Sequence, residues 1–89
     1  MTTGATTELT VRYFAGARAA AGTEAEVLSV PAGATVDDVL AELGRRHGPG
    51  LEKVLAACSF LLDEVAVRAR DHTLPARSTL DVLPPFAGG

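Results

Sequence analysis

The apolar and polar positions of this chain fall into short segments with two different periods. Between Glu8 and Phe14, Leu9, Val11 and Tyr13 alternate with Thr10, Arg12 and Phe14, a period of two that predicts a strand. With Leu9, Val11 and Tyr13 on the core side, Phe14 points to the opposite face or ends the strand. An aromatic there is either packed under a loop or part of an exposed apolar patch. Ala15 to Thr23, Ala-rich and bracketed by Gly16 and Gly22, predicts one or two helical turns. Glu24 to Val30 returns to β character through Val27, Leu28 and Val30, and Pro31-Ala32-Gly33-Ala34 ends it. These two strands are close enough in sequence for an antiparallel pair.

The period then lengthens. Val36, Val39, Leu40 and Leu43 stand at i, i+3, i+4 and i+7, one apolar stripe of a helix. Thr35 is placed to cap it, with Asp38 three residues on as an aspartate version of the capping box. Asp37 and Asp38 suit the positive end of the helix dipole, and Arg45, Arg46 and His47 suit the other end. Gly48-Pro49-Gly50 breaks the helix. Leu51, Val54, Leu55 and Cys58 repeat the spacing over a shorter second helix. Ser59 to Leu62 is a compact apolar run, Asp63-Glu64 a tight turn, and Val65 to Arg68 a short strand. A polar connection from Asp71 to Ser78 leads to the last strand, Thr79 to Leu83, with Leu80 and Val82 on one face and Asp81 and Leu83 on the other.

One main helix cannot cover both faces of a sheet of this size, so one face packs on the helix and the other stays at least partly open. That order fits an α+β roll, the β-grasp or ubiquitin-like arrangement, with a mixed four- to five-stranded sheet packed on one main helix. The expected organisation is a flexible N-terminal extension over 1–7, a single domain over 8–83 and a flexible C-terminal tail over 84–89. Eighty-nine residues, 47 % of them apolar but with only three Phe and one Tyr, allow one core built mostly of Val, Leu and Ala.

Composition narrows the chemistry. A single cysteine, Cys58, excludes a disulfide framework and a cysteine-rich metal site within one chain, and its place at the end of an apolar stripe reads as buried structure. His47 and His72 stand at no metal-ligand spacing, and His47 beside two arginines reads as a helix-end cation. A formal charge of −3 with scattered Lys and Arg argues against a nucleic-acid partner. No run approaches a membrane span, and Met1 to Thr7 lack the features of a signal peptide, so a cytoplasmic location is expected. No phosphate loop, nucleophile elbow or zinc motif is present in the sequence. A self-contained enzyme is not expected, and neither is a bound cofactor or metal.

The remaining feature is the end of the chain, Pro84-Pro85-Phe86-Ala87-Gly88-Gly89. At ordinary glycine usage of about 7 %, two terminal glycines arise by chance roughly one time in 200, so the pair gains meaning only from its setting. A terminal glycine leaves its carboxylate without a neighbouring side chain, and Gly88 permits a backbone approach that a Cβ would block. Six extended residues reach up to about 20 Å, enough to enter another protein's buried site. Pro84 and Pro85 lower the cost of ordering that segment by fixing φ in the free chain.

Over roughly Leu9 to Gly89 the chain resembles the MoaD/ThiS ubiquitin-like sulfur carriers, nearest to those of molybdopterin synthase. The resemblance is carried by Val11-Arg12-Tyr13-Phe14-Ala15 leading to Arg18 and Gly22, by Asp71-His72-Thr73-Leu74, and above all by Asp81-Val82-Leu83-Pro84-Pro85-Phe86-Ala87-Gly88-Gly89. One departure is Ala76-Arg77-Ser78, which stands where the family has a Gly-Asp turn. The resemblance implies a carrier cycle in which an E1-like adenylyltransferase activates the Gly89 carboxylate with ATP. A sulfur donor such as a cysteine desulfurase or rhodanese then displaces AMP to leave a thiocarboxylate. It further implies delivery of that sulfur to precursor Z in the large subunit of molybdopterin synthase, the chain itself being a non-catalytic subunit. By family position Gly89 carries the reacting group and Gly88 gives clearance. Phe14, Val67 and Leu83 form an apolar docking face, and Pro84, Pro85, Phe86 and Ala87 enter the partner. The same chemistry also fits a carrier for cysteine, thiamine or tRNA thiolation, or a ubiquitin-like modifier joined to lysines.

Overall fold

The computed structural model describes residues 5–85. Its elements run β1 (Thr6–Tyr13), α1 (Ala15–Ala21), β2 (Ala25–Pro31), α2 (Val36–His47), α3 (Pro49–Ala57), β3 (Ser59–Leu62), β4 (Val65–Ala66) and β5 (Thr79–Leu83). The strands form one five-stranded sheet in the order β2-β1-β5-β3-β4. β1 and β5 are parallel, and the other pairs are antiparallel. This is the α+β roll expected from the element order, with the first two strands paired antiparallel as their spacing suggested.

Helix α2 forms where its stripe predicts. Val36, Val39, Leu40 and Leu43 are buried, each apolar side chain contributing about 1.5–3 kcal/mol when fully covered. The capping box is complete: Asp38 N–H donates to Thr35 Oγ1 at 3.2 Å, and Thr35 N–H donates to Asp38 Oδ2 at 3.0 Å. The first helical amides, which no intrahelical carbonyl can serve, find carbonyls on the polar connection. Val36 N–H donates to His72 O at 3.1 Å and Asp37 N–H to Arg70 O at 2.8 Å. Arg70 and His72 thus tie the chain to the helix start, and β4 ends at Ala66, two residues short of the expected Arg68. Gly48 (φ +95°) does more than break the helix: it ends α2 and begins α3 with no loop between them, and Pro49 occupies the first helical position.

The core lies between the helices and one face of the sheet, with Leu9, Val11, Leu28, Leu43, Leu51, Leu80 and Val82 almost wholly covered. Cys58 is buried as expected, its thiol donating to Val54 O at 3.2 Å, and burial pushes its pKa up against the opposing charge of Arg70. Two expectations are corrected. β1 begins at Thr6, not Glu8, because the β-branched Thr6 and Thr7 pair with Pro31 and Val30. Of the extension expected over 1–7, residues 1–4 lie outside the described residues. His47 is also more than a helix-end cation. Its Nε2 meets Glu26 Oε2 at 2.5 Å, and the same carboxylate oxygen accepts from the buried Tyr13 hydroxyl at 2.6 Å. Arg46 lies 3.4 Å from the other oxygen. This cluster ties β1 and β2 to the end of α2.

Candidate functional site

The helices cover one face of the sheet, and strand register sorts the residues of the other. One row runs Ala25, Arg12, Asp81, Leu61, Ala66 across all five strands. In the next row Leu83 pairs with Ser59, and Phe14 follows Tyr13 in extended conformation, its N–H donating to Val82 O at 3.2 Å. Phe14 is 39 % exposed, and Leu61 and Leu83 are half-buried. Since β1 and β5 are parallel, Phe14 and Leu83 emerge at the same end of the sheet. Pro84, half-buried, and Pro85, exposed, follow Leu83 directly, so the apolar patch sits at the root of the tail.

At the centre of this face stands an ion pair. Arg12 Nε donates to Asp81 Oδ1 at 2.6 Å and Nη2 donates to Oδ2 at 2.8 Å, a bidentate fork. The side chain of Asp81 is 7 % exposed and that of Arg12 47 %. The hydrogen bonds to Asp81, and then its charge, hold the Arg12 pKa above its ordinary value. The guanidinium carbon lies 5.8 Å from the centroid of the Phe14 ring, in cation–π range. Beside the pair a shallow groove is lined by Arg12, Asp63, Glu64, Thr79 and Asp81.

Of the residues expected to dock a partner, Phe14, Leu83 and Pro84 therefore come together. Val67 does not join them. Its N–H donates to Phe60 O, one step past the outward-facing Ala66–Leu61 pair, and its side chain packs on the core cluster from the sheet edge. Val65 shares its parity, so alternation alone could not place either valine. Phe86, Ala87, Gly88 and Gly89 lie outside the described residues. Three residues escaped sequence reasoning. Leu61 was hidden in a continuous apolar run, where the period of two is invisible. The Arg12–Asp81 pair joins positions 69 apart and has no local signal at all.

Among the described residues no group of three or more His, Cys, Asp or Glu side chains is placed to hold a metal ion. Among them, too, no helix is long and apolar enough to cross a membrane. What this face offers is a surface: an apolar patch with a fixed charge pair, next to the point where the chain leaves the sheet.

Comparison with known proteins places the fold and the surface in a family. The model of the ThiS family matches residues 11–89. The molybdopterin synthase sulfur carrier subunit of Chlamydomonas reinhardtii is 32 % identical over 83 residues, covering 92 % of this chain and 99 % of that protein. Among solved structures, SAMP1 of Haloferax volcanii superposes with a TM-score of 0.81 at 28 % identity, covering 92 % of this chain and 99 % of the other. The small archaeal modifier protein 1 of Methanosarcina acetivorans gives 0.80 at 27 % identity, covering 97 % and 100 %. The β-grasp roll and the match through to Gly89 lead to one conclusion: the chain belongs to the ThiS family, within the MoaD/ThiS ubiquitin-like sulfur carriers.

Proposed function

We propose that this protein carries sulfur as a thiocarboxylate on Gly89 and donates it to molybdopterin formation as the small subunit of molybdopterin synthase. The observation that carries the reading is the family match running through the diglycine, together with a relative of that name aligned over nearly its whole length. A carboxylate is a poor electrophile. Attack on the α-phosphate of ATP by the Gly89 carboxylate releases pyrophosphate and gives an acyl adenylate. A sulfide equivalent from the sulfur donor then displaces AMP. The folded domain supplies no catalytic group to either step; ATP is consumed by the E1-like activating enzyme. The domain's part is to dock through Phe14, Leu61 and Leu83, which sets the root of the tail at the mouth of the partner's site.

Intact-mass measurement after incubation with ATP, the activating enzyme and a sulfur source tests the chemistry. The expected change is one oxygen replaced by sulfur, and an unchanged mass beside an active activating enzyme defeats the reading. Addition of the molybdopterin synthase large subunit and precursor Z then yields molybdopterin. Failure at that step alone transfers the carrier to cysteine, thiamine or tRNA thiolation. Deletion of Gly89 is expected to abolish sulfur transfer while leaving the melting temperature unchanged.

A second reading, a modifier joined to lysines of other proteins, is favoured by the likeness to small archaeal modifier protein 1. The adenylate step is common to both. Recovery of Gly89-linked lysine conjugates from cells, with no molybdopterin formed in the reconstituted reaction, selects the modifier.

A further inference from the structure

An ion pair occupies the centre of the face that the proposed function covers with a partner. Arginine has five N–H donors. Asp81 takes two of those on Arg12, which leaves three (5 − 2) without a partner among the described residues. In the free protein water serves them, since the side chain is 47 % exposed. A docked partner expels that water, and donors buried without acceptors oppose binding. A partner with an apolar patch alone is therefore penalised here.

The acceptor is constrained by the surrounding charge. Asp81 already balances Arg12, and Asp63 and Glu64 line the same groove. Three carboxylates against one guanidinium make the groove negative, so an incoming carboxylate meets repulsion that a neutral carbonyl oxygen does not. Backbone carbonyls are free at the last turn of a helix and along an unpaired strand edge.

Resting on the docking role proposed above, we propose that Arg12, oriented by Asp81, is the specificity-determining residue of this face. It selects a protein partner that lays an apolar patch over Phe14, Leu61 and Leu83 and presents carbonyl oxygens to the Arg12 guanidinium. Asp81 is a positioning residue in this scheme: it fixes the plane of the fork and never meets the partner.

The test is calorimetric titration of the molybdopterin synthase large subunit with the wild-type chain and three variants, each variant also melted alone. The double variant Arg12→Leu/Asp81→Leu removes both charges together, so no buried carboxylate is left uncompensated. It is expected to melt within a few degrees of the wild type and to bind at least about tenfold more weakly, because the partner's carbonyls then face leucine. Arg12→Lys keeps the charge but loses the planar fork, and at least about threefold weaker binding is expected. Glu64→Gln is expected to bind within about twofold of the wild type, since a neutral acceptor is insensitive to that charge. Double-variant or lysine-variant binding equal to the wild type overturns the proposal while leaving the docking role intact. So does marked tightening by Glu64→Gln, which would show a carboxylate on the partner. Wild-type dimerisation through this face in sedimentation, competing with the large subunit, assigns the face to a second copy and also overturns it. A wild-type chain that does not bind the large subunit sinks the docking role, and this proposal with it.

Discussion

Along β5, Leu80 and Val82 are fully buried against the helices, while Asp81 and Leu83, each one residue removed, belong to the other side of the sheet. The two faces settle their polar groups differently. On the helix side, polar groups appear at the margin, where Glu26 is enclosed by Tyr13, His47 and Arg46 and its hydrogen bonds are met from within the chain. On the open side a bidentate pair sits among exposed and half-buried apolar residues, and its arginine keeps donors turned to water. A face whose polar groups close on themselves is finished when the chain folds. A face with spare donors and an uncovered aromatic is finished only when something else covers it.

The sharpest way to break this comparison is to truncate the same residue type on both sides of β5. Leu80→Ala is expected to cost about 2–5 kcal/mol by urea denaturation, the range for a cavity in a packed core. Leu83→Ala, half-buried at the edge of the open face, is expected to cost about 1 kcal/mol. Equal costs would mean that the open face is core, and the division between the faces would fall.

How much of this division was legible follows from which contacts are local. Helix α2 could be read residue by residue, because its stripe, its cap and its charged ends all lie within thirteen positions, Thr35 to His47. β1 was legible in its alternation but not at its start, since Thr6 and Thr7 look like loop until a partner strand is supplied. Phe14 and Leu83 were placed off the core by parity. Their adjacency needed the parallel β1–β5 pairing, which no local pattern encodes. For the same reason the Arg12–Asp81 fork and the Glu26–His47 contact were invisible. Parity leaves Val67 open, since Val65 shares its face, and only family position puts it with Phe14 and Leu83. Its packing against the core cluster depends on the β3–β4 register, which local alternation does not encode.

The helix-side cluster gives the next test, through pH. Burial works against the Glu26 carboxylate, but hydrogen bonds from Tyr13 and His47, with the charges of His47 and Arg46, outweigh it and lower its pKa. A lowered folded pKa stabilises above the unfolded value of about 4.3 and is lost as pH falls through the folded one. Glu26→Gln is therefore expected to cost about 1–2 kcal/mol at neutral pH, with the difference from wild type shrinking below about pH 4. Tyr13 has the opposite sign. Burial, and then its bond to Glu26, raise its pKa, so its contribution is whole below about pH 10 and lost as pH climbs further. Tyr13 is the one tyrosine of the chain, so phenolate absorbance reports on it alone. It is expected to appear only together with unfolding. Ionisation of a still-folded protein near pH 10 would show that the cluster is open.

A smaller effect comes from the turn at the end of the open-face groove. Asp63 (φ +48°) and Glu64 (φ +71°) both occupy the left-handed region. Asp63 recovers part of that strain by accepting from Thr79 N–H at 2.9 Å, whereas Glu64 makes no such bond among the described residues. Glu64→Gly is expected to stabilise the fold by about 1 kcal/mol in the same denaturation experiment. A loss of stability would show that the Glu64 side chain supports Arg12 more than its backbone strains the hairpin.

The smallest change in stability is expected where the change in binding is large. Phe14 is 39 % exposed and follows the last residue of β1, so Phe14→Ala removes little buried area and opens no cavity. Its cost to folding is expected to stay below about 1 kcal/mol, less than a core aromatic loses by several-fold. Its ring also flanks the Arg12 guanidinium, so the truncation strips both the apolar patch and one wall beside the fork. On docking, the ring would be buried fully, and its loss is then expected to weaken partner binding by at least about tenfold. A residue that matters more to the complex than to the fold is the signature of the open face. If Phe14→Ala instead unfolds the chain as Leu80→Ala does, Phe14 is core and the surface built around it does not exist.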